Sequence, residues 1–100
     1  MAANTAQRAK IRARVEQMIT DSKRYPVQIV NKQVVMTRNE KGHITGSKTV
    51  YTLEGHGVSN PFKRSYFRDT RVDKLAAEGL NISMPRVKRG SGQVTVELAV

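Results

Sequence analysis

The fold is decided by residues 33–54, QVVMTRNEKGHITGSKTVYTLE, which read as two β-strands joined by a turn. The first arm is rich in β-branched residues, and residues 27–30 extend it toward the N-terminus. Residues 39–42 have turn chemistry, and Gly46-Ser47 in the returning arm predicts a bulge or bend. The stretch therefore predicts an antiparallel β-hairpin with a long tip. The end of the second arm alternates between two faces, one of which carries Thr49, Tyr51 and Leu53.

An amphipathic helix is predicted before the hairpin, over residues 5–24. Asn4 or Thr5 can cap its start, and Pro26 requires the helix to end before it. Apolar residues recur at helical spacing, so one face is expected to pack against the sheet. That face carries Ile11, Val15, Met18 and Ile19.

The chain after the hairpin is predicted to add two short helices and two strands. Asn60 as the cap and Pro61 at the first helical position predict a helix through Phe67. A second helix is expected from residues 70–73 to Gly79, because Thr70 and Asp73 resemble a capping box. Alternating patterns then predict strands over residues 80–84 and 93–100, joined by a basic, flexible turn over residues 86–92.

This order of elements, α-β-β-α-β-β, predicts an α+β fold. We expect an N-terminal helix followed by an antiparallel sheet, with one or two short helices inserted. The chain has 100 residues and no break in composition, so we expect a single domain over residues 1–100. Residues 1–10 either begin the first helix or form a flexible basic arm.

The charge balance points to a polyanionic partner. Eighteen Lys and Arg residues against eight Asp and Glu residues give a formal net charge of +10. Such an excess attracts polyanions, so we expect a non-enzymatic protein that contacts nucleic acid, DNA rather than RNA, mainly through phosphates. The chain has no Cys, no secretory signal and no apolar run long enough to span a bilayer. We therefore expect no membrane partner, and the cytoplasm, or a virion if the protein is viral, as its location.

Three basic segments are the candidate binding regions. Positive residues near the start of the first helix oppose the helix dipole, which suggests that they serve a partner. In the second segment basic residues interleave with Tyr66 and Phe67, which suits strand stacking. The third is the basic turn. The candidate residues are Arg8, Lys10, Arg12 and Arg14 in the first segment, Lys63, Arg64, Arg68 and Arg71, with Lys74, in the second, and Arg86, Lys88 and Arg89 in the third.

Each segment also has a simpler interpretation. The first can be a solvated helix face, and the third can be a plain hairpin turn. In the second, Tyr66 and Phe67 can be core residues whose charged neighbours face water.

For the protein as a whole, a further alternative function is that of an inhibitor or adaptor that binds an acidic protein surface.

The sequence predicts no catalytic, metal or cofactor site. His43 and His56 lack the acidic or His neighbours that a metal site needs. The two histidines could act as acid and base in phosphodiester cleavage only if the hairpin brought them together. No phosphate-binding glycine loop or nucleophile elbow is present.

Residues 34–42 and 49–58 resemble part of the small bacteriophage head–tail connector and neck proteins. The shared pattern is a polar-tipped hairpin that returns into a strand of the form Tyr-Thr-x-x-Gly, here starting at Tyr51. The resemblance implies a virion structural component that assembles with its own copies, or with other virion proteins, as a ring around DNA. A basic lumen would suit that role.

Overall fold

The computed structural model describes residues 5–21, 24–88 and 93–99. Four strands form one antiparallel sheet in the order β1-β2-β4-β3, and helices cover one of its faces. The predicted α+β fold, with its N-terminal helix and antiparallel sheet, is therefore confirmed. In chain order the elements are α1 (Thr5–Thr20), β1 (Gln28–Arg38), β2 (Ile44–Glu54), α2 (Pro61–Phe67), α3 (Asp73–Ala77), β3 (Arg86–Lys88) and β4 (Gln93–Leu98).

The hairpin of β1 and β2 forms as predicted. Its turn is closed by Asn39, whose Oδ1 accepts hydrogen bonds from the backbone N–H groups of Lys41 and His43, both at 3.0 Å. The first arm is one continuous strand with a register irregularity at residue 30. The register also shifts at Thr45, one residue before the predicted bulge.

The core lies between the inner face of the sheet and the helices. Alternate residues of β2 and β4 point inward, and α1 packs over them with the apolar face that its sequence predicts. In α1 the side chains of Val15 and Ile19 are fully buried, while Ile11 and Met18 are partly buried at the edge. The helix ends at Thr20, earlier than predicted, and the Asn4 cap lies outside the described residues. The inward residues of the two central strands are Thr49, Tyr51, Leu53, Val94, Val96 and Leu98.

The predicted break between two short helices does not occur. Helix α2 begins as expected, because the Asn60 side chain accepts a hydrogen bond of 2.8 Å from the Lys63 N–H. It then passes through a π-helical turn over residues 68–72, where the Asp73 N–H donates to the Arg68 carbonyl five residues back, and continues directly into α3. Thr70 does not act as a cap, since its hydroxyl donates to the Tyr66 carbonyl at 2.7 Å.

The third strand lies where a turn was predicted. Residues 80–84 contribute only a single bridge, between Ile82 and Leu98, whereas residues 86–88 form β3. Ser83 exchanges two hydrogen bonds of 2.8 Å with the backbone of Glu97, one of them through its hydroxyl. Pro85 has no N–H to donate, so regular pairing resumes only after it. The predicted turn residues 89–92 lie outside the described residues.

Replacing Val15 with Asp should lower the free energy of unfolding by about 3 kcal/mol or more, because it places an unpaired charge in the core. Ala13 is exposed on the same helix, so Ala13→Asp is the matched control and should cost less than about 1 kcal/mol. Urea unfolding followed by circular dichroism measures both values. Equal midpoints for the two variants would show that α1 does not anchor the core.

Candidate nucleic-acid interface

Two of the three predicted basic segments lie at the same end of the sheet. Strand β1 begins and β2 ends there, since Gln28 pairs with Glu54. Strand β3 ends and β4 begins there as well, since Lys88 pairs with Gln93 and Leu53 pairs with Val94. Helix α2 starts a few residues beyond Glu54. We call this the basal end of the sheet, opposite the hairpin tip.

Two glycines allow two backbone segments to approach closely at the basal end. The Gly57 N–H donates to the Pro26 carbonyl at 3.0 Å, and a Cβ atom on Gly57 would lie 2.6 Å from the Tyr25 carbonyl oxygen. Gly55 has a φ of +132°, a conformation that residues with side chains rarely adopt. This close approach fixes the loop that carries Tyr25 against the short turn that carries His56.

Aromatic rings and cations cluster on the surface that results. The Tyr25 ring meets Tyr66 edge-on at 5.1 Å and lies 6.0 Å from the His56 ring. The Lys63 Nζ is 2.7 Å from His56 Nε2 and 5.6 Å from the centre of the Tyr25 ring. The Arg24 guanidinium lies 5.7 Å from the same ring. Together with Phe62, these residues form what we call the basic–aromatic surface: Arg24, Tyr25, His56, Phe62, Lys63 and Tyr66.

Phe62 is far more exposed than the two tyrosines of this surface, which are only partly exposed. It is 78% exposed, although the chain has few aromatic residues with which to build a core. It precedes Tyr66 by four positions, so the two side chains lie on the same face of α2. Sequence reasoning did not single out Phe62, Arg24 or Tyr25. The available signal was the aromatic residue directly before Lys63 at the start of a helix.

Three other predicted residues of the second segment, Arg64, Arg68 and Arg71, have local partners. Arg64 Nη1 donates to the Val58 carbonyl at 3.2 Å, and the exposed Arg68 pairs with its neighbour Asp69 at 3.2 Å. Arg71 is only 3% exposed and lies over the Phe67 ring at 5.1 Å. Burial lowers the pKa of its guanidinium. Arg71 and Phe67 therefore do not belong to the open basic–aromatic surface.

The predicted cluster on α1 lies away from the basal end. Ile11 reaches the neighbourhood of Leu98, which pairs with Thr49, several residues from the basal end of β2. Arg8 and Lys10 lie still closer to the start of the helix. Arg12 is partly buried, and its positive charge lies close enough to Tyr51 to oppose part of the rise in the pKa of the Tyr51 phenol.

Arg14 has a structural partner. Its Nε and Nη2 donate to the two carboxylate oxygens of Glu78 at 2.8 and 2.9 Å. These hydrogen bonds raise the pKa of Arg14 and lower the pKa of Glu78. The pair links α1 to the residue that follows α3. Because both ends of the guanidinium fork are used, Arg14 is the least available of the four predicted residues on α1.

The third segment is only partly described. Arg86 is exposed and pairs with Thr95 on the sheet face that the helices do not cover. The backbone of Lys88 belongs to β3. The Lys88 side chain and Arg89 lie outside the described part of the chain, so their predicted roles stay predictions.

His43 and His56 lie at opposite ends of β2, separated by roughly 35 Å along the strand. They therefore cannot act as one acid–base pair. Within residues 5–21, 24–88 and 93–99, no three His, Asp or Glu side chains come together as a metal site. No helix in the same ranges is long and apolar enough to cross a bilayer.

Comparison with known proteins gives no information on function, so the function is inferred from the geometry described above. The chain matches no family model, no curated protein and no solved structure. The resemblance to bacteriophage connector proteins therefore stays a prediction.

Substitutions can show which of the predicted basic residues on α1 stabilise the fold and which do not. Arg14→Gln should lower the melting temperature, because it removes the hydrogen-bonded pair with Glu78. Arg14→Lys, which keeps the charge but not the fork, should recover only part of the loss. The double variant Arg8→Gln/Lys10→Gln should melt at or above the wild-type temperature, since it removes positive charge near the helix N-terminus. A lower melting temperature for the double variant would assign those two residues a structural role.

Proposed function

We propose that the protein is a non-enzymatic nucleic-acid-binding protein whose principal contact is the basic–aromatic surface. Bases stack on its aromatic side chains, and neighbouring Lys and Arg residues neutralise phosphates. The observation that carries the proposal is the exposed Phe62 beside Lys63, on a chain with a net charge of +10. We favour DNA over RNA as the ligand.

The exposure of Phe62 supports stacking rather than a purely electrostatic contact. Burying a Phe side chain typically contributes about 1.5–3 kcal/mol, which this fold does not gain at position 62. A ring that projects from the first turn of a helix can be reached by a base from a single strand. Because every base has a flat apolar face, such stacking needs no particular sequence.

The cations near this surface are suited to phosphate binding. Lys63 and Arg24 lie beside the aromatic rings. Arg86 is also exposed, but it lies farther away, on the edge strand β3 and on the sheet face that the helices do not cover. Within the described part of the chain, the ion pairs do not engage Lys63, Arg24 or Arg86. Those pairs are Arg14–Glu78, Lys32–Glu16, Lys48–Glu97 and Arg68–Asp69.

Affinity for a labelled mixed-sequence single strand tests the proposal. Phe62→Ala should weaken binding by about 5- to 150-fold, which corresponds to 1–3 kcal/mol for one stacked base. It should leave the salt dependence unchanged, because no charge is lost. Ile44→Ala is the matched control, since Ile44 is also exposed and apolar but lies near the hairpin tip, at the opposite end of the sheet. Fluorescence anisotropy over a salt series gives the affinity and its slope together.

The salt series also tests the phosphate contacts. If about five phosphates are neutralised, the slope of log K against log salt should be near −3.5 for a single strand and −4.5 for duplex DNA. Lys63→Gln should reduce the single-strand slope by about 0.7, and Arg86→Gln should do the same only if the strand extends across the basal end to β3. An affinity that does not change with salt, or equal losses in Phe62→Ala and Ile44→Ala, would contradict the proposal. Tight binding to an acidic protein with none to DNA would favour an adaptor.

A second candidate function is a structural subunit that assembles as a ring around DNA. The observation that favours it is the apolar character of the hairpin beyond the core. Val34 and Met36 are 51% and 53% exposed, and they share the face of Tyr51 where the helices no longer cover it. Ile44, near the tip, is similarly exposed. Apolar patches of this kind often mark contacts between proteins.

Light scattering coupled to size-exclusion chromatography tests the assembly. A ring subunit should elute with a mass several times 11.2 kDa, and Met36→Lys should reduce that mass to the monomer. Val87→Lys adds the same charge at an exposed apolar residue on the other edge strand and should leave the assembly intact. A monomeric wild-type protein, with and without DNA, would exclude the ring.

A further inference from the structure

A pocket of about 310 Å³ opens between α1 and the helical segment that spans residues 61–77. Its walls come from the last turn of α1, the loop that leads to β1, and the π-helical turn with its flanking residues. π-Helical turns are rare and often occur at functional sites. The polar residues that line the pocket are Asp21, Arg24, Tyr66, Thr70, Arg71 and Lys74.

Arg71 is the unusual residue of this pocket. It is 3% exposed, and its Nη1 donates to the Thr70 hydroxyl at 3.0 Å. That hydroxyl uses its own proton toward the Tyr66 carbonyl, so it is held as an acceptor for Arg71. The Arg71 Nε is buried and has no hydrogen-bond partner among the described residues. A buried donor without a partner is unfavourable, and an acceptor entering the pocket would relieve this cost.

The charge of the pocket suggests the ligand. Arg24, Arg71 and Lys74 supply three positive charges and Asp21 one negative charge, a net of +2. A phosphate monoester carries a charge close to −2 at neutral pH, whereas an internal phosphodiester carries only −1. Guanidinium groups also match the geometry of phosphate oxygens. A terminal phosphate therefore fits the pocket better than a phosphate within a strand.

The pocket is continuous with the basic–aromatic surface. Arg24 and Tyr66 belong to both, because each lines the pocket and also contacts Tyr25. A strand whose bases stack along Tyr66 and Phe62 thus has a cationic pocket at one side of its path.

We propose that this pocket binds the terminal phosphate of a nucleic-acid strand that lies on the basic–aromatic surface. The proposal rests on the proposed function and assigns to Arg71, Arg24 and Lys74 the recognition of a strand end. Asp21 acts against the ligand, because its carboxylate also lines the pocket and lies close enough to Arg71 to interact with its charge.

The test compares three versions of one labelled 12-nucleotide strand, with a 5′-phosphate, with a 3′-phosphate, or with neither. The wild-type protein should bind one phosphorylated strand at least about tenfold more tightly than the unphosphorylated one, as expected for a charge-assisted contact of about 1.5 kcal/mol or more. The strand end that gains affinity identifies the direction in which the strand lies. Inorganic phosphate, added as a competitor, should reduce this preference.

Variants distinguish phosphate binding in the pocket from strand binding on the basic–aromatic surface. Lys74 is exposed, so Lys74→Gln should fold normally and lose most of the preference for the phosphorylated strand. Asp21→Asn should increase the preference, and Asp73→Asn, an exposed carboxylate of α3 that does not line the pocket, is its control. Lys63→Gln should weaken all three strands by the same factor. Arg71→Lys, which keeps the charge, should reduce the preference if the protein still folds.

Failure of the terminal-phosphate inference and failure of the proposed function give different results. If all three strands bind equally tightly, or if Lys74→Gln weakens them all by one factor, the pocket is not a terminal-phosphate site, while the proposed function stands. If no strand binds but inorganic phosphate broadens the amide NMR signals of Thr70 and Arg71, the pocket binds phosphate and the proposed function is wrong; the inference about strand ends fails with it. If neither strands nor phosphate bind, both proposals are overturned.

Discussion

The inner face of β2 is the constraint on which the rest of the structure depends. This strand pairs with β1 on one side and β4 on the other, so its inward side chains lie at the centre of the sheet. Tyr51 is the largest of them and is fully buried, and its hydroxyl donates to Glu16 of α1 at 3.3 Å. Burial and the nearby Glu16 carboxylate raise the pKa of the Tyr51 phenol above its ordinary range, so the ring stays neutral and can donate. Glu16 also pairs with Lys32 of β1, which joins helix, edge strand and central strand around one carboxylate.

Most of the fold could be predicted because its signals are local. The alternation in β2, the turn at Asn39 and the cap at Asn60 each act within a few residues, and each was confirmed. The position of β3 could not be predicted, because it depends on hydrogen bonds between Ser83 and a residue fourteen positions later. The continuous helix was missed because a π-helical turn places Thr70 against the preceding carbonyl instead of at a helix start. Local propensity was overridden in both places by contacts that the sequence pattern does not contain.

The candidate site was less predictable than the fold. Lys63 and Arg86 are distant in sequence, and only the sheet order brings their segments to the same end. The burial of Arg71 had a sequence signal, since Phe67, Arg71 and Leu75 repeat at a spacing of four and share the buried face of the helical segment. The positive charge of Arg71 obscured that signal, because a basic residue within a basic segment suggests a solvent-exposed position. The same applies to Arg14, whose partner Glu78 is 64 positions away.

The outer edge of β1 has a consequence for how the protein behaves in concentrated solution. Strand β1 lies at the edge of the sheet for eleven residues, and its outward backbone groups have no neighbouring strand in the sheet. Long edges of this kind are templates for strand-to-strand aggregation, and natural proteins oppose it with charge. Here Lys32 and Arg38 lie on the strand itself, and the surplus of positive charge keeps copies apart. High salt screens that repulsion within a few ångströms. The condition that releases a bound polyanion during purification is therefore also the one that leaves the hairpin edge least protected against precipitation.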